Sequence, residues 1–252
     1  MGLFDKKYCD VCGEKIGLLG NRKLEDGNLC KKCAAKLSPF FSERRHSTLE
    51  EIKEQLAYRE QNQKELESFH TTRVLNGTKK ILIDEDQGKF VVTNARNLVE
   101  DNPDIISFSQ VTGCDIDVDE DRTEVKRKDS EGNYVSYNPR RYKYQYNFKV
   151  TIHVNNDYFD EISYRLNPAG IEITPSFLGT DRMPNPERNV EYMEWSETGR
   201  EIKEALTQGR LSAREAAARA QQEPKTITCP YCQAVTTITP DGKCEYCGCS
   251  LS

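Results

Sequence analysis

Eight cysteines stand in two quartets, one near each end of a 252-residue chain. Cys9, Cys12, Cys30 and Cys33 follow the spacing C-x2-C-x17-C-x2-C, and Cys229, Cys232, Cys244 and Cys247 follow C-x2-C-x11-C-x2-C. Zn2+ takes four thiolates in a tetrahedron, and a C-x2-C turn sets two sulfurs on one side of the ion. A second such turn completes the shell, so each quartet reads as one structural site, two Zn2+ per chain. All-thiolate shells are closed, whereas catalytic zinc keeps a position open for water and usually has His or carboxylate ligands. End segments of roughly 45 and 25 residues cannot bury enough surface to fold unaided. In such modules metal binding supplies folding free energy of order 10 kcal/mol or more.

The second quartet opens with Cys229-Pro-Tyr-Cys232, which is also the wording of a thiol–disulfide redox pair. A redox pair needs the N-terminus of a helix to lower its thiol pKa. Here QAVTTITPDGKC follows, with alternating β-branched residues and a turn signal at Pro240-Asp241-Gly242. That is a hairpin leading to the next C-x2-C, and the metal reading prevails. Cys249 leaves one ambiguity, because it could replace Cys247 as a ligand or be a spare thiol.

Around the first quartet, Gly13 follows Cys12 and permits a tight knuckle. Gly20-Asn21 and Asp26-Gly27 mark turns of a short hairpin. CKKCAAKL then begins a brief helix stopped near Pro39. Knuckle, hairpin and a helix whose first turn carries the last two ligands make a treble-clef-like module. Lys6, Lys7, Lys31 and Lys32 are placed to offset the net charge of about −2 left by four thiolates on one Zn2+.

Between the ends, residues 46–69 read as a helix started by a capping box of Ser47 and Glu50. Leu49, Ile52, Leu56 and Leu66 form a thin apolar stripe interrupted by Arg59 and Gln63, as in a connector that packs on its neighbour. From 71 to about 175 the periodicity becomes two. Tyr142–Val154 is the clearest strand, with further strands at 79–84, 89–94, 105–110, 111–119, 124–128, 161–166 and 170–174, and a hairpin turn at 129–134. Asp115–Asp121 lacks the Gly and Glu positions of a calcium loop and reads as a strand with Ile116 and Val118 inward. Residues 187–223 return to helix, read as two short helices broken at Gly209 and ended by Pro224. The expected fold is multidomain α+β. A treble-clef-like module (1–46), a connector helix (47–70), an antiparallel β domain (71–187), a helical segment (188–223) and a zinc ribbon (224–252) follow one another.

Catalysis finds little support. There is no phosphate-binding Gly loop, dinucleotide fingerprint, His-Glu-x-x-His or Gly-x-Ser-x-Gly. His46 and His70 flank the connector, His153 lies on the polar face of its strand, and Cys114 reads as core. Ten cysteines without an export signal point to a reducing cytoplasm. No apolar run approaches the roughly 20 residues of a membrane span. The net charge of −5 is uneven. Residues 1–46 hold ten Lys/Arg against six Asp/Glu, and residues 71–187 hold fifteen against twenty.

The stretch KKYCDVCGEKIGLLGNRKLEDGNLCKKCAAKLSPFFSERRHST resembles the N-terminal four-cysteine zinc domain of an uncharacterised bacterial family, domain of unknown function 4428. The resemblance covers about the first 50 residues. It implies zinc on Cys9, Cys12, Cys30 and Cys33 and carries no substrate or reaction. The β-rich middle with its following helix is similar to bacterial PH-like domains, a curled seven-stranded antiparallel sheet capped by a helix. EIKEALTQGRLSAREAAARA resembles a short C-terminal two-helix domain found with such modules. Both imply docking or assembly. The expected function is a cytoplasmic, non-enzymatic zinc adaptor that grips an unknown protein partner, with no small-molecule substrate. Nucleic acid is an alternative partner through the basic N-terminal end. An anionic membrane surface is another, through Arg140, Arg141 and Lys143.

Overall fold

The computed structural model describes residues 6–175, 184–222, 226–237 and 242–251. The chain forms two compact units, Met1–Arg210 and Leu211–Ser252.

The first unit begins with two small antiparallel hairpins. β1 (Lys7–Tyr8) pairs with β2 (Lys15–Ile16), and β3 (Arg22–Lys23) with β4 (Asn28–Leu29). The one-turn helix α1 (Lys31–Ala34) follows, with Cys30 as its N-cap. Buried Leu24, Leu29 and Leu37 close around the buried sulfurs of Cys9, Cys30 and Cys33.

Helix α2 (Leu49–Leu66) starts one residue later than expected. Thr48 is the N-cap and exchanges side-chain and backbone bonds with Glu51. The Ser47 hydroxyl is used elsewhere, donating to the Glu43 carbonyl at 3.0 Å. Ile52 completes the core of the N-terminal hairpins, and Leu66 joins a second cluster with Val91 and Ile105. Arg59, expected to interrupt the apolar stripe, is instead buried with it (5% exposed). The segment 102–105 supplies the reason. Arg59 bonds Asp104 and the Asn102 carbonyl, and Asn62 donates to the Pro103 carbonyl and accepts from the Ile105 amide.

The β region holds two antiparallel four-stranded sheets. β5 (Arg73–Leu75), β6 (Lys80–Asp84), β7 (Lys89–Thr93) and β8 (Ile105–Ser107) pair in chain order, with the one-turn helix α3 (Leu98–Asp101) between the last two. β5 and α3 are too short to have been read from periodicity. In the second sheet β10 (Tyr134–Val154) is central. β9 (Val111–Lys128) runs along one edge, while β11 (Glu161–Arg165) and β12 (Ile171–Ile173) pair with successive stretches of the other. Buried Asn167 fills the gap between these two. It accepts from the Phe148 amide at 2.8 Å and donates to the Tyr146 carbonyl at 3.2 Å.

The two strands expected at 111–119 and 124–128 are one strand, β9, and the expected Tyr142–Val154 strand begins eight residues earlier. Asp129 holds the connecting turn by accepting from the Glu131 and Asn133 amides, and Gly132 takes a positive φ of 86°. The hairpin continues past the core as an arm, and no residue from Asp117 to Lys143 is buried. Val118, expected inward, is therefore 39% exposed, while Ile116 is half-buried.

Helix α4 (Val190–Gln222) is continuous where two helices were expected. Its buried Ile202, Ala205 and Leu206 and its Tyr192, 5.0 Å from the Phe148 ring, belong to the first unit. Gly209 is a point of close approach. A Cβ there would lie 2.5 Å from the Phe108 ring. Alanine favours a helix over glycine by about 1 kcal/mol, yet Gly209→Ala is expected to lower the melting temperature, because the ring is packed and cannot retreat freely. A thermal melt checks the sign.

The second unit contains the end of α4 and the hairpin of β13 (Thr226–Thr228) with β14 (Val235–Thr237). The expected helix stop at Pro224 and turn residues Pro240 and Asp241 lie outside the described residues. Among the described residues no helix is long and apolar enough to cross a membrane.

Candidate metal centres

Three of the four C-x2-C pairs share one backbone device. In the first, the Gly13 amide donates to the Cys9 carbonyl and the Cys9 amide to the Glu14 carbonyl. The Gln233 and Cys229 amides repeat this with Cys229 and Ala234, and the Gly248 and Cys244 amides with Cys244 and Cys249. The residue after each second cysteine takes a positive φ: Gly13 71°, Gln233 59° and Gly248 68°. Such a conformation comes freely to glycine and at a cost to glutamine. The fourth pair, Cys30 and Cys33, sits instead at the start of α1. There the Cys33 amide donates to the Cys30 sulfur at 3.4 Å, and the Cys30 amide to the Cys9 sulfur at 3.3 Å.

The sulfurs of Cys9, Cys12, Cys30 and Cys33 all lie within 4.8 Å of one another, as do those of Cys229, Cys232, Cys244 and Cys247. Cys12 and Cys30 are 3.8 Å apart, Cys229 and Cys247 3.6 Å, Cys232 and Cys244 3.8 Å. A zinc tetrahedron with bonds of about 2.3 Å has sulfur–sulfur edges of about 3.8 Å, and a disulfide would need about 2.05 Å. The clusters have the size of a tetrahedral metal shell. Each cysteine of the Cys-Pro-Tyr-Cys pair approaches one from the other pair, and the chain after it enters β14 rather than a helix. Cys247 belongs to the cluster. Cys249 serves it through the carbonyl that accepts from Cys244.

Burial pushes the Cys9 thiol up, but the amides of Cys12, Cys30 and Val11 outweigh it and bring it to about 6. The Cys247 and Tyr246 amides bring Cys244 to about 6 as well. Burial, then the neighbouring sulfurs, push Cys33 well up. Each cluster thus presents a ready thiolate at neutral pH, and a dication must draw out the rest. Protons compete for the same sulfurs. Metal is expected to stay bound at pH 7 and to be released on acidification, which mass spectrometry across a pH series measures.

The expected lysine screen is realised in a different form. Lys32 is paired with Glu14 at 3.1 Å, and its pKa is raised by that carboxylate first and by the charges of Cys30 and Cys12 after it. Asp10, which sequence reasoning passed over, braces the site by accepting from the Asn28 amide at 2.6 Å.

A histidine–carboxylate pair, not evident in the sequence, does occur. His153 Nε2 lies 3.1 Å from Asp115 Oδ2, with Lys203 3.6 Å from the other carboxylate oxygen. Both side chains are exposed. The adjacent Cys114 is buried, and burial pushes its thiol up to about 11, which suits packing better than nucleophilic attack. His46 and His70 form no part of either cysteine cluster.

The sites define a chain with two four-cysteine centres capable of holding metal. The family described as a domain of unknown function, DUF4428, matches residues 7–55, which include the first cluster and the opening of α2. No curated protein and no solved structure matches the chain.

Proposed function

We propose that the protein is a non-enzymatic zinc-binding adaptor, with Zn2+ on Cys9, Cys12, Cys30 and Cys33 and a second Zn2+ on Cys229, Cys232, Cys244 and Cys247. The observation that carries this reading is the all-sulfur makeup of both clusters at tetrahedral spacing. A four-thiolate shell has no position for water or substrate, so the metal supplies folding free energy and no reaction chemistry. One knuckle plus a helical pair supports a treble-clef-like first module, and two knuckles plus a hairpin support a zinc ribbon. Two four-stranded antiparallel sheets followed by a packed helix support a PH-like β region, with one strand more than the expected seven. With eight cysteines held as zinc thiolates and Cys114 and Cys249 as thiols, a reducing cytoplasm suits the chain.

Function then resides in surfaces that the modules hold in place, and the partner is another protein. Native mass spectrometry with thiol counting tests the metal assignment. Two zinc ions and ten reactive thiols after denaturation support it, and a Cys229–Cys232 disulfide would replace the second site by a redox switch. Capture from the native host tests the adaptor role. A stoichiometric partner retained by the metal-loaded chain and lost by Cys9→Ser supports it; turnover of a small substrate would refute it.

A further inference from the structure

Strand β2 runs into a turn whose two corners are leucines. The Gly20 amide donates to the Gly17 carbonyl at 2.9 Å and closes a β-turn over Leu18 and Leu19. Such corners usually go to Pro, Asn, Asp, Ser or Gly, which set the backbone and face water. Here Leu18 is 89% exposed and Leu19 82%, the two most exposed large apolar side chains among the described residues. Neither belongs to the core around the sulfurs, so the fold does not account for them. Cations surround them. The turn and the start of α1 border an open recess lined by Lys15, Lys31, Lys32 and one carboxylate, Glu14. Glu14 is already paired with Lys32 at 3.1 Å. Lys15 and Lys31 are exposed and have no ion pair among the described residues. Lys7, also exposed, lies across from Ile16, and Tyr8, 52% exposed, across from Lys15.

We propose that the Leu18–Leu19 turn is an anchor that enters the surface of an anionic bilayer. A bilayer is layered from phosphate to acyl chain, and the side chains here fall in the matching order. The two leucines lead, at the turn beyond Ile16, and reach the acyl boundary. Tyr8 lies behind them at the level of Lys15, as amphipathic rings do among headgroups. Lys7, Lys15 and Lys31 meet the lipid phosphates, each cation adding attraction to an anionic leaflet. With Lys32 neutralised by Glu14, these three still outweigh the net charge of about −2 on a zinc-loaded centre. A fluid interface also suits a protruding apolar tip, because it needs no pocket of matching shape. Neither signal suffices alone, since a short apolar insertion holds a protein only when a basic patch accompanies it. Binding is therefore reversible and governed by lipid charge. Such anchoring goes beyond the adaptor reading and does not depend on it. It also differs from a membrane face at Arg140, Arg141 and Lys143, where no leucine pair stands beside the cations.

Flotation of the metal-loaded full chain with lipid vesicles is the first experiment. One set is phosphatidylcholine alone and the other holds about 30% phosphatidylserine, each at about 0.1 M and about 0.5 M salt. Binding to the anionic vesicles that weakens with salt is expected, with little binding to the neutral ones. Leu18→Ser/Leu19→Ser and Lys15→Glu/Lys31→Glu are each expected to weaken binding at least about tenfold. Both pairs are exposed and lie outside the core, so metal content and melting temperature are expected to match the wild type. No binding to anionic vesicles at the lower salt, equal binding to both vesicles, or a leucine variant that binds like the wild type would each overturn the proposal. Binding kept by the leucine variant and lost by Arg140→Glu/Arg141→Glu would overturn it in favour of the β arm. A chain that ignores vesicles but binds duplex DNA, or loses a protein partner with the leucine pair, would overturn it in favour of that macromolecule.

Discussion

Replacing Cys9 by serine is expected to unfold the N-terminal hairpins and to leave the β sheets folded. Cys9, Cys30 and Cys33 are themselves buried members of the core that holds Leu24, Leu29, Leu37 and Ile52. A serine leaves three sulfurs and a buried hydroxyl where a four-sulfur shell stood. Structural zinc contributes of order 10 kcal/mol to such modules, far more than strands of two residues can supply. The expected result is loss of one zinc ion by native mass spectrometry and of amide protection across residues 7–37. A Cys9→Ser chain that keeps both ions and its protection would show that the core stands without the metal. The equivalent change at Cys229 is expected to remove one ion and leave the melting of the first unit unchanged.

The second large effect is expected at Arg59. Its guanidinium lies 2.5 Å from Asp104, and both side chains are almost completely enclosed. Ser38 donates to the other oxygen of that carboxylate at 2.9 Å. Burial lifts the Asp104 carboxyl above its usual range, against the pull of Arg59 and Ser38. Arg59→Met would leave a buried carboxylate without its cation, at a cost of about 3–5 kcal/mol near pH 7. The sign with pH follows. Asp104 would then bind its proton more tightly folded than unfolded, so the penalty grows as pH rises through its folded pKa and shrinks on acidification toward pH ~4, near the unfolded value. Urea denaturation at neutral and acid pH measures both. Arg59→Met with Asp104→Leu should recover most of the loss, since a buried pair can often be replaced by apolar neighbours. A double variant as unstable as the single one would instead assign Arg59's role to its bonds with the Asn102 and Lys36 carbonyls.

Particular residues explain what could be read in advance. The cysteine quartets were legible because metal geometry restricts ligand spacing, and all eight sulfurs fall into the two groups the spacing names. Most strands were legible because Tyr144, Tyr146, Phe148, Val150, Ile152 and Val154 alternate into one core. The arm was legible only in part: its strand at 124–128 and its turn at 129–134 were read, but residues 120–123 and 135–141 were not, because beyond that core nothing selects the side that must be apolar. Arg59 misled because a charge on a helix is read as solvent-facing until its carboxylate, 45 residues away, is known. Gly209 misled because glycine breaks an isolated helix, whereas here its missing Cβ admits a ring.

Ile52 and Leu66 sit near opposite ends of one helix, the first in the core that encloses the sulfurs and the second against Val91 and Ile105 of the neighbouring sheet. The helix is thus a beam resting on two supports, one of which, on the zinc assignment proposed above, would stand only while metal is bound. When that support goes, the amino-terminal turns of the beam come free and offer cellular proteases a strand to grip. The lifetime of the chain would then follow the supply of zinc, with scarcity registered as disappearance of the protein and plenty as its persistence.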